Sequence, residues 1–521
     1  TNNYSFIFVG YPQIGSSNEL KGSDTAEFYQ AQSDAVRNDS FNWNTTLNEA
    51  MDKTGGNASF VVSAGDQIQT TKKKSPGKSE MTSEIEYTGY LSPDVLKSLP
   101  VATTVGNHDA DNANYTYHFN TPNSSDLGSN GVVGGDYYFT YGNTLFMMLN
   151  TQDTNAAEHK QFMEQAIAAN PNCTWRVVTL HQDIYGSAEH SNEPEITNLR
   201  YTLVPYFEAN DVDVVLTGHD HAYSRTHILE GGHKTVEYTD DEFDAELDKD
   251  MDAGENPATR YEAPANISAD SKEPADVAYL NYLNAVMDKD AIEDTEKGET
   301  VVNPDGILYM TANSSSGSNY SVIDVTDNTF TINTYRTDND QKIDETFTIK
   351  KGVTEDIKSA SVGNVKNQIY TGKQIQPAIK VTLNGKTLKA GKDYTVTYTD
   401  NKNTGLAKAT INGIGKYTGT QTVTFKIVPK KAVLKTVKAG KSGTATVTIG
   451  KAGGKVSGYA IQVSTDSSFK KVTTYRTAKT TYTLKNLSKG KTYYVRVKAF
   501  TKVSDKNVYG AASKTIKVKA K

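Results

Sequence analysis
Six short apolar runs in the first two-thirds of the chain restrict its fold more than any other feature: YSFIFVG, ASFVVSAG, LPVATTVG, NTLFMMLN, TWRVVTLH and VDVVLTGH. Runs of this length read as strands buried on both faces, and here they alternate with longer stretches of helical character. That alternation predicts a layered α/β domain. Sites in such folds lie beyond the carboxyl ends of the strands. Four runs end on potential ligands: Asp66 after VVSAG, Asn107 and His108 after ATTVG, His181 after RVVTL, and His219 with His221 after VVLTG. Loop histidines are common, so the His-Asp-His spacing by itself says little. Oxygen and imidazole donors after four separate strands point to a metal centre of the Zn, Mn or Fe type.

Downstream of residue 350 the pattern changes. From Val353 on, segments such as KDYTVTYTD, TQTVTFKIV, SGTATVTIG and TYYVRVKAF alternate with period two between Gly, Asn and Lys turns. This predicts β-sandwiches. Charge switches at the same place: residues 1–350 hold 21 Lys and Arg against 55 Asp and Glu, whereas residues 351–521 hold 34 against 6. A domain boundary near Lys350 is expected. The basic lysines are spread along strands instead of gathered with stacking aromatics, so no nucleic-acid partner is expected. A solvated basic surface is the plain reading; attraction to an anionic cell-wall or host-surface partner is the sharper one. The single cysteine, Cys173, excludes disulfides within the chain and cysteine-zinc clusters. No run is apolar for long enough to suggest a transmembrane segment.

The strings AGDQIQ, VGNHDA, TLHQD and GHDHAYSRT resemble, in kind and order, the motifs of calcineurin-like metallophosphoesterases. GHDHAYSRT together with YYFTYGNTLFMMLNT is similar to the purple acid phosphatase branch. The resemblance covers roughly residues 4–349 and implies a four-layer α/β/β/α sandwich with a two-metal centre at one edge. By motif, Asp66 would bridge the metals, Asn107, His181 and His219 would hold one, and His221 the other. His108 would assist at the leaving-group oxygen or stabilise phosphoryl charge. The implied activity is hydrolysis of a phosphoric ester by a metal-held hydroxide, with one or two divalent or mixed-valence ions per chain.

Residues 430–521 resemble a fibronectin type III domain: LSKGKTYYVRVKAF places Leu487, Gly490 and Tyr493 at its turn and corner tyrosine, while Ile449 stands where many members carry a core tryptophan. Residues 353–428, with YTGKQIQPAIKVTLNGKTLKAGKDYTVTY, look like an Ig-like repeat of bacterial surface proteins. Both all-β resemblances imply a secreted or cell-surface bacterial protein. Thr1 leads into the first apolar run without a leader peptide, which is expected to lie outside this chain.

Two departures bear on activity. The first family motif ends strand one on an aspartate and commonly a histidine two residues later, where this chain has Tyr11 and Gln13. The tyrosine ligand of purple acid phosphatases is replaced by Gln69. Tyr11 is therefore either a phenolate ligand to the second metal or a filler of its space, and Gln69 a weak ligand at best. The expected function is a phosphatase or phosphodiesterase acting on a phosphorylated substrate. The alternative is a degenerate phosphoesterase fold that binds a host or cell-wall partner with one metal site impaired. An acidic stretch at 237–299 is read as a solvated insertion, and TKKKSPGKSE at 71–80 as a surface loop.

Overall fold
The computed structural model describes residues 2–20, 25–70, 81–187, 190, 194–231, 271–273, 291–293, 300–313 and 319–521. The insertion expected at 237–299 falls outside these, apart from 271–273 and 291–293, and so does the loop 71–80. The chain divides into two compact units, Thr1–Gly352 and Val353–Lys521. No helix among the described residues is long and apolar enough to cross a membrane.

In the first unit the helices are α1 (Ala26–Lys53), α2 (Met81–Tyr90), α3 (Asn114–His118), α4 (Ala156–Ala169) and α5 (Pro194–Ala209). The strands are β1 (Tyr4–Val9), β2 (Ala58–Ser63), β3 (Val101–Thr103), β4 (Tyr137–Tyr141), β5 (Thr144–Met148), β6 (Trp175–Thr179), β7 (Val214–Thr217), β8 (Ser224–Arg225), β9 (Thr300–Val302), β10 (Leu308–Thr311), β11 (Asn319–Val325), β12 (Thr329–Arg336) and β13 (Phe347–Lys350). They form two mixed sheets, β3-β2-β1-β11-β12-β13-β9 and β4-β5-β6-β7-β10-β8.

The apolar runs are continuous because each strand feeds two cores, one residue to each side in turn. Phe6 and Phe8 of β1, Phe60 and Val62 of β2, Phe146 and Met148 of β5, and Val214 and Leu216 of β7 meet between the sheets. Phe6 stacks on Phe60 at 5.2 Å and meets Phe146 of the opposite sheet edge-on at 5.3 Å. The intervening Ile7, Val9 and Val61 pack under Trp43 and Leu47 of α1 and Tyr87 and Tyr90 of α2. On the other outer face Leu145, Met147, Val178 and Val215 pack against Phe162 and Met163 of α4 and Leu199, Leu203 and Phe207 of α5. The layers are therefore α/β/β/α, as the family resemblance implied. Each fully buried large side chain contributes about 1.5–3 kcal/mol, and three contiguous cores share the strands.

Helix α1 begins where Thr25 Oγ1 accepts from Phe28 N at 3.1 Å, an N-cap. Trp43 Nε1 donates to the Tyr90 carbonyl at 2.9 Å, tying α1 to α2. This pair supports the loops that follow β1 and β2, where the site lies.

The second unit holds two β-sandwiches. In the first, strands 368–369, 420–428, 405–413 and 394–399 form one sheet and 361–362, 381–383 and 386–387 another. Val381, Leu383, Ala407, Ala409, Ile411 and Phe425 fill the space between them. In the second, strands 434–439, 445–449 and 481–484 face a five-stranded sheet of 473–477, 458–464, 492–503, 506–509 and 516–519. Ile449 lies in this core, so an aliphatic group fills the place expected for tryptophan. The Tyr493 hydroxyl accepts from Ser488 N at 2.9 Å, a corner between strand and turn.

Candidate metal centre
Four strand ends of the first unit converge. Beyond β2, Asp66 has a positive φ of 44°, and beyond β7, His219 has a φ of 63°. Side chains other than glycine seldom occupy this region, and such strain persists where surrounding structure imposes it. Two glycines let the turns close: a Cβ on Gly106 would lie 2.1 Å from Asp66 Oδ1, and one on Gly65 2.5 Å from His181 Nδ1.

The centre of the cluster is His181 Nε2. Its partner nitrogen, Nδ1, donates to the Ala64 carbonyl at 2.6 Å, which fixes the ring. Nε2 then faces Asn107 Oδ1 at 3.0 Å, His219 Nδ1 at 3.1 Å and Asp66 Oδ2 at 3.2 Å. With the ring proton on Nδ1, Nε2 of the neutral imidazole presents a lone pair to two oxygens and a second ring nitrogen. A cation satisfies all four donor atoms, and ligand bonds of about 2.1 Å at right angles put donors about 3.0 Å apart. The donor set of one carboxylate, one amide oxygen and two imidazoles therefore fits a divalent transition metal. Without a cation, burial alone would raise the Asp66 carboxyl, but the adjacent His181 and the His108 peptide N–H hold it well below the usual carboxylate range. Burial likewise opposes the charged form of His181, and Asp66 more than offsets it, raising its pKa.

His108 lies beside this cluster. Its peptide N–H donates to Asp66 Oδ1 at 2.9 Å, its Nδ1 donates to the Gln69 carbonyl at 2.6 Å, and Gln13 Nε2 is 3.3 Å from its Nε2. Asp109, fully buried behind it, accepts from the Gly106 and Gln67 peptides and from the Tyr87 hydroxyl. Burial and then the Asp66 charge raise its pKa.

The residues expected around a second metal lie apart from this cluster. His221 is exposed and stands outside the cluster of Asp66, His181 and His219; its ring meets Tyr11 edge-on at 5.6 Å. Tyr11 is fully buried, and its hydroxyl donates to the carbonyls of His219 and Asp220 at 3.2 and 3.3 Å. Burial first, then the charges of Asp66, Asp220 and Asp183, push its ionisation far above the normal range. Gln69 directs its side-chain oxygen to Gln13 Nε2 at 2.6 Å instead of to the cluster. The Tyr11 phenol thus lies under the ligand turn, bonded to its carbonyls.

Three neighbours escaped sequence reasoning. The His190 ring lies 4.4 Å from His219 and 5.8 Å from His221. Asp183 and Asp220 are fully buried beside the ligand turns. Burial and then the Asp220 charge raise the Asp183 carboxyl well above its ordinary value. Asp183 and Asp220 stand inside the TLHQD and GHDHAYSRT strings and His190 follows the first of these, but only the closure of the His181 and His219 turns against each other puts them at the site.

Residues 38–223 match the calcineurin-like phosphoesterase family model, and residues 434–515 match the fibronectin type III domain model. Two uncharacterised proteins, from two strains of Mycobacterium tuberculosis, are each 26% identical over 156 residues, 25% of this chain and 29% of theirs. The match therefore spans under a third of those relatives' length. Among solved structures, a purple acid phosphatase from yellow lupin (Lupinus luteus) seeds is 13% identical with a TM-score of 0.41, over 67% of this chain and 54% of its own. The sixth fibronectin type III domain of human fibronectin type III domain containing protein 3 is 22% identical with a TM-score of 0.15, over 17% of this chain and 83% of its own.

Proposed function
We propose, for a chain that carries a calcineurin-like phosphoesterase domain ahead of a fibronectin type III domain, that the first unit is a metal-dependent phosphoric-ester hydrolase. The observation that carries this reading is the convergence of two oxygens and a ring nitrogen on His181 Nε2 from three other strand ends. Asp66, Asn107, His181 and His219 would hold the ion, which when bound supplies Lewis-acid polarisation of a phosphoryl oxygen. His181 is kept in one tautomer by Ala64, so its Nε2 points at the ion position without rearrangement. His108 has Nδ1 committed to the Gln69 carbonyl, so its Nε2, beside the Gln13 amide at 3.3 Å, is the ring atom that would face a leaving group. His190 beside His219 would orient an anionic substrate. The β-sandwiches are consistent with a secreted or surface-displayed enzyme whose substrate is a phosphorylated molecule met outside the cell.

The burial of Tyr11 favours a second reading, a phosphoesterase fold reduced to one metal or to a surface binding role, because a neutral phenol bonded to two carbonyls replaces a carboxylate. Elemental analysis and turnover of an aryl phosphate separate the two. The hydrolase reading expects at least one metal per chain and activity lost in His181→Ala together with the metal. Tyr11→Asp is expected to raise metal content toward two per chain and to increase turnover, since a dication needs anionic ligands to replace its hydration. A metal-free, inactive wild type that stays so after Tyr11→Asp would leave the binding role. A two-metal, active wild type indifferent to Tyr11→Asp and Tyr11→Phe would overturn the account of Tyr11.

A further inference from the structure
We propose that the outward face of the five-stranded carboxyl-terminal sheet binds a linear polyol-phosphate polymer, a phosphodiester chain without bases. Ile461, Val463, Val495, Val497, Ala499 and Val518 point into the sandwich core, so the residues alternating with them point outward. The strand register puts Ala460 between Arg476 and Lys498, Gln462 opposite Arg496, Tyr494 opposite Lys517 and Thr492 opposite Lys519. Five cations thus share one face of four adjacent strands, with no carboxylate among those register partners. Residues 430–521 hold 22 Lys and Arg against two acids, Asp466 and Asp505. Asp466 is turned to its own loop, accepting from Ser468 and Lys470, and Asp505 sits in the turn between Val503 and Lys506.

The arginines give this face its specificity. Arg476 and Arg496 are the only arginines after Gly352, and both lie here. Neutral groups hold each one: Arg496 lies 4.0 Å over Phe469 with Nε on Gln462 Oε1 at 2.7 Å, and Arg476 Nη2 donates to the Tyr509 hydroxyl at 3.2 Å. Their charge is therefore oriented but not neutralised, and the guanidinium fork matches two oxygens of one phosphate. Strands about 4.8 Å apart and same-face residues about 7 Å apart form a ladder of positive charge on a rigid support. Base stacking is limited to the half-buried Tyr494, because Arg496 covers Phe469, and Tyr509 is packed against Phe500 at 5.7 Å. The choice of phosphodiester among linear polyanions rests on the hydrolase reading of the first unit: the sheet would hold the kind of polymer that unit acts on.

The test measures binding of the full chain to a labelled glycerol-phosphate polymer by fluorescence anisotropy at several salt concentrations. Heparin and a single-stranded oligonucleotide serve as comparison polyanions. The expected result is an affinity that falls linearly on a log-log plot with salt. The triple variant Lys498→Glu, Lys517→Glu, Lys519→Glu should bind about tenfold or more weakly, with the salt slope reduced by about three. A second triple variant of equal charge change, Lys435→Glu, Lys438→Glu, Lys485→Glu, alters exposed lysines on or beside the opposite sheet and should lose less than about threefold. Equal losses in the two variants, or no binding at low salt, would overturn the assigned face. Heparin or the oligonucleotide binding as tightly would overturn the assigned polymer. Asp66→Ala should bind as the wild type does, so failure of the hydrolase reading shows in metal content and turnover, not in this measurement.

Discussion
Glu86 shows how one buried residue sets the conditions under which the site stands. It lies fully buried in α2, and its Oε1 accepts from the peptides of Gln69 and Thr70, both at 3.0 Å, while Gln32 donates to Oε2 at 2.8 Å. Those bonds hold the turn whose Gln69 carbonyl receives His108. Burial nevertheless pushes its carboxyl from 4.5 up to about 7, against the hydrogen bonds from Thr70, Gln32 and Gln69. A carboxyl raised on folding contributes stability that is complete below the unfolded value and is lost as pH rises through the folded one. The window therefore runs from about pH 4.5 to somewhat above 7, with a ceiling of roughly 3 kcal/mol. Glu86→Gln keeps an acceptor for the two peptides and removes the charge. Its unfolding free energy relative to wild type should rise across that window, as read by urea titrations at pH 5 and pH 8. Parallel pH profiles for the two proteins would refute the shift.

At the scale of elements, the strands carry the site because they are locked from both sides. Strand β1 is the joint of the larger sheet, parallel to β2 and antiparallel to β11, and its residues alternate between the inter-sheet core and the α1/α2 layer. Phe6→Ala removes a fully buried ring stacked on Phe60 and edge-on to Phe146, which costs about 3–5 kcal/mol by lost burial and the cavity left. The expected signature is a lower denaturant midpoint for the first unit and an unchanged transition for the second. A loss below about 1 kcal/mol would mean that the core collapses around the missing ring.

At the scale of the molecule, the two units have separate interiors. Among the described residues, the three cores of the first unit draw on positions up to Ile349 and the two cores of the second on positions from Ile357 onward. Cutting after Gly352 is therefore expected to leave two fragments that fold independently, each melting within a few degrees of its transition in the full chain. A molten 1–352 fragment beside a stable full-length chain would show that the second unit completes the first. The charge imbalance gives the two units fields of opposite sign, acidic for residues 1–350 and basic for residues 351–521.

Periodicity and strand-end residue types made the layered α/β unit, the all-β unit and the boundary near residue 350 legible in the sequence, because hydrophobic alternation is local and each strand repeats it. The donors Asp66, Asn107, His181 and His219 were legible for the same reason, each following an apolar run. What only the tertiary structure decided concerns residues from distant segments. The His219–Asp220 turn that supplies two carbonyls for the Tyr11 hydroxyl lies 208 and 209 residues further along the chain. His190 carried no signal until its ring met His219. Spread lysines gained a face only when strand register set Lys498, Lys517 and Lys519 beside the two arginines. A sequence pattern reports which side of its own element a residue takes. Which residue of another element it meets depends on chain crossings hundreds of residues apart, and those are settled by packing of the whole core.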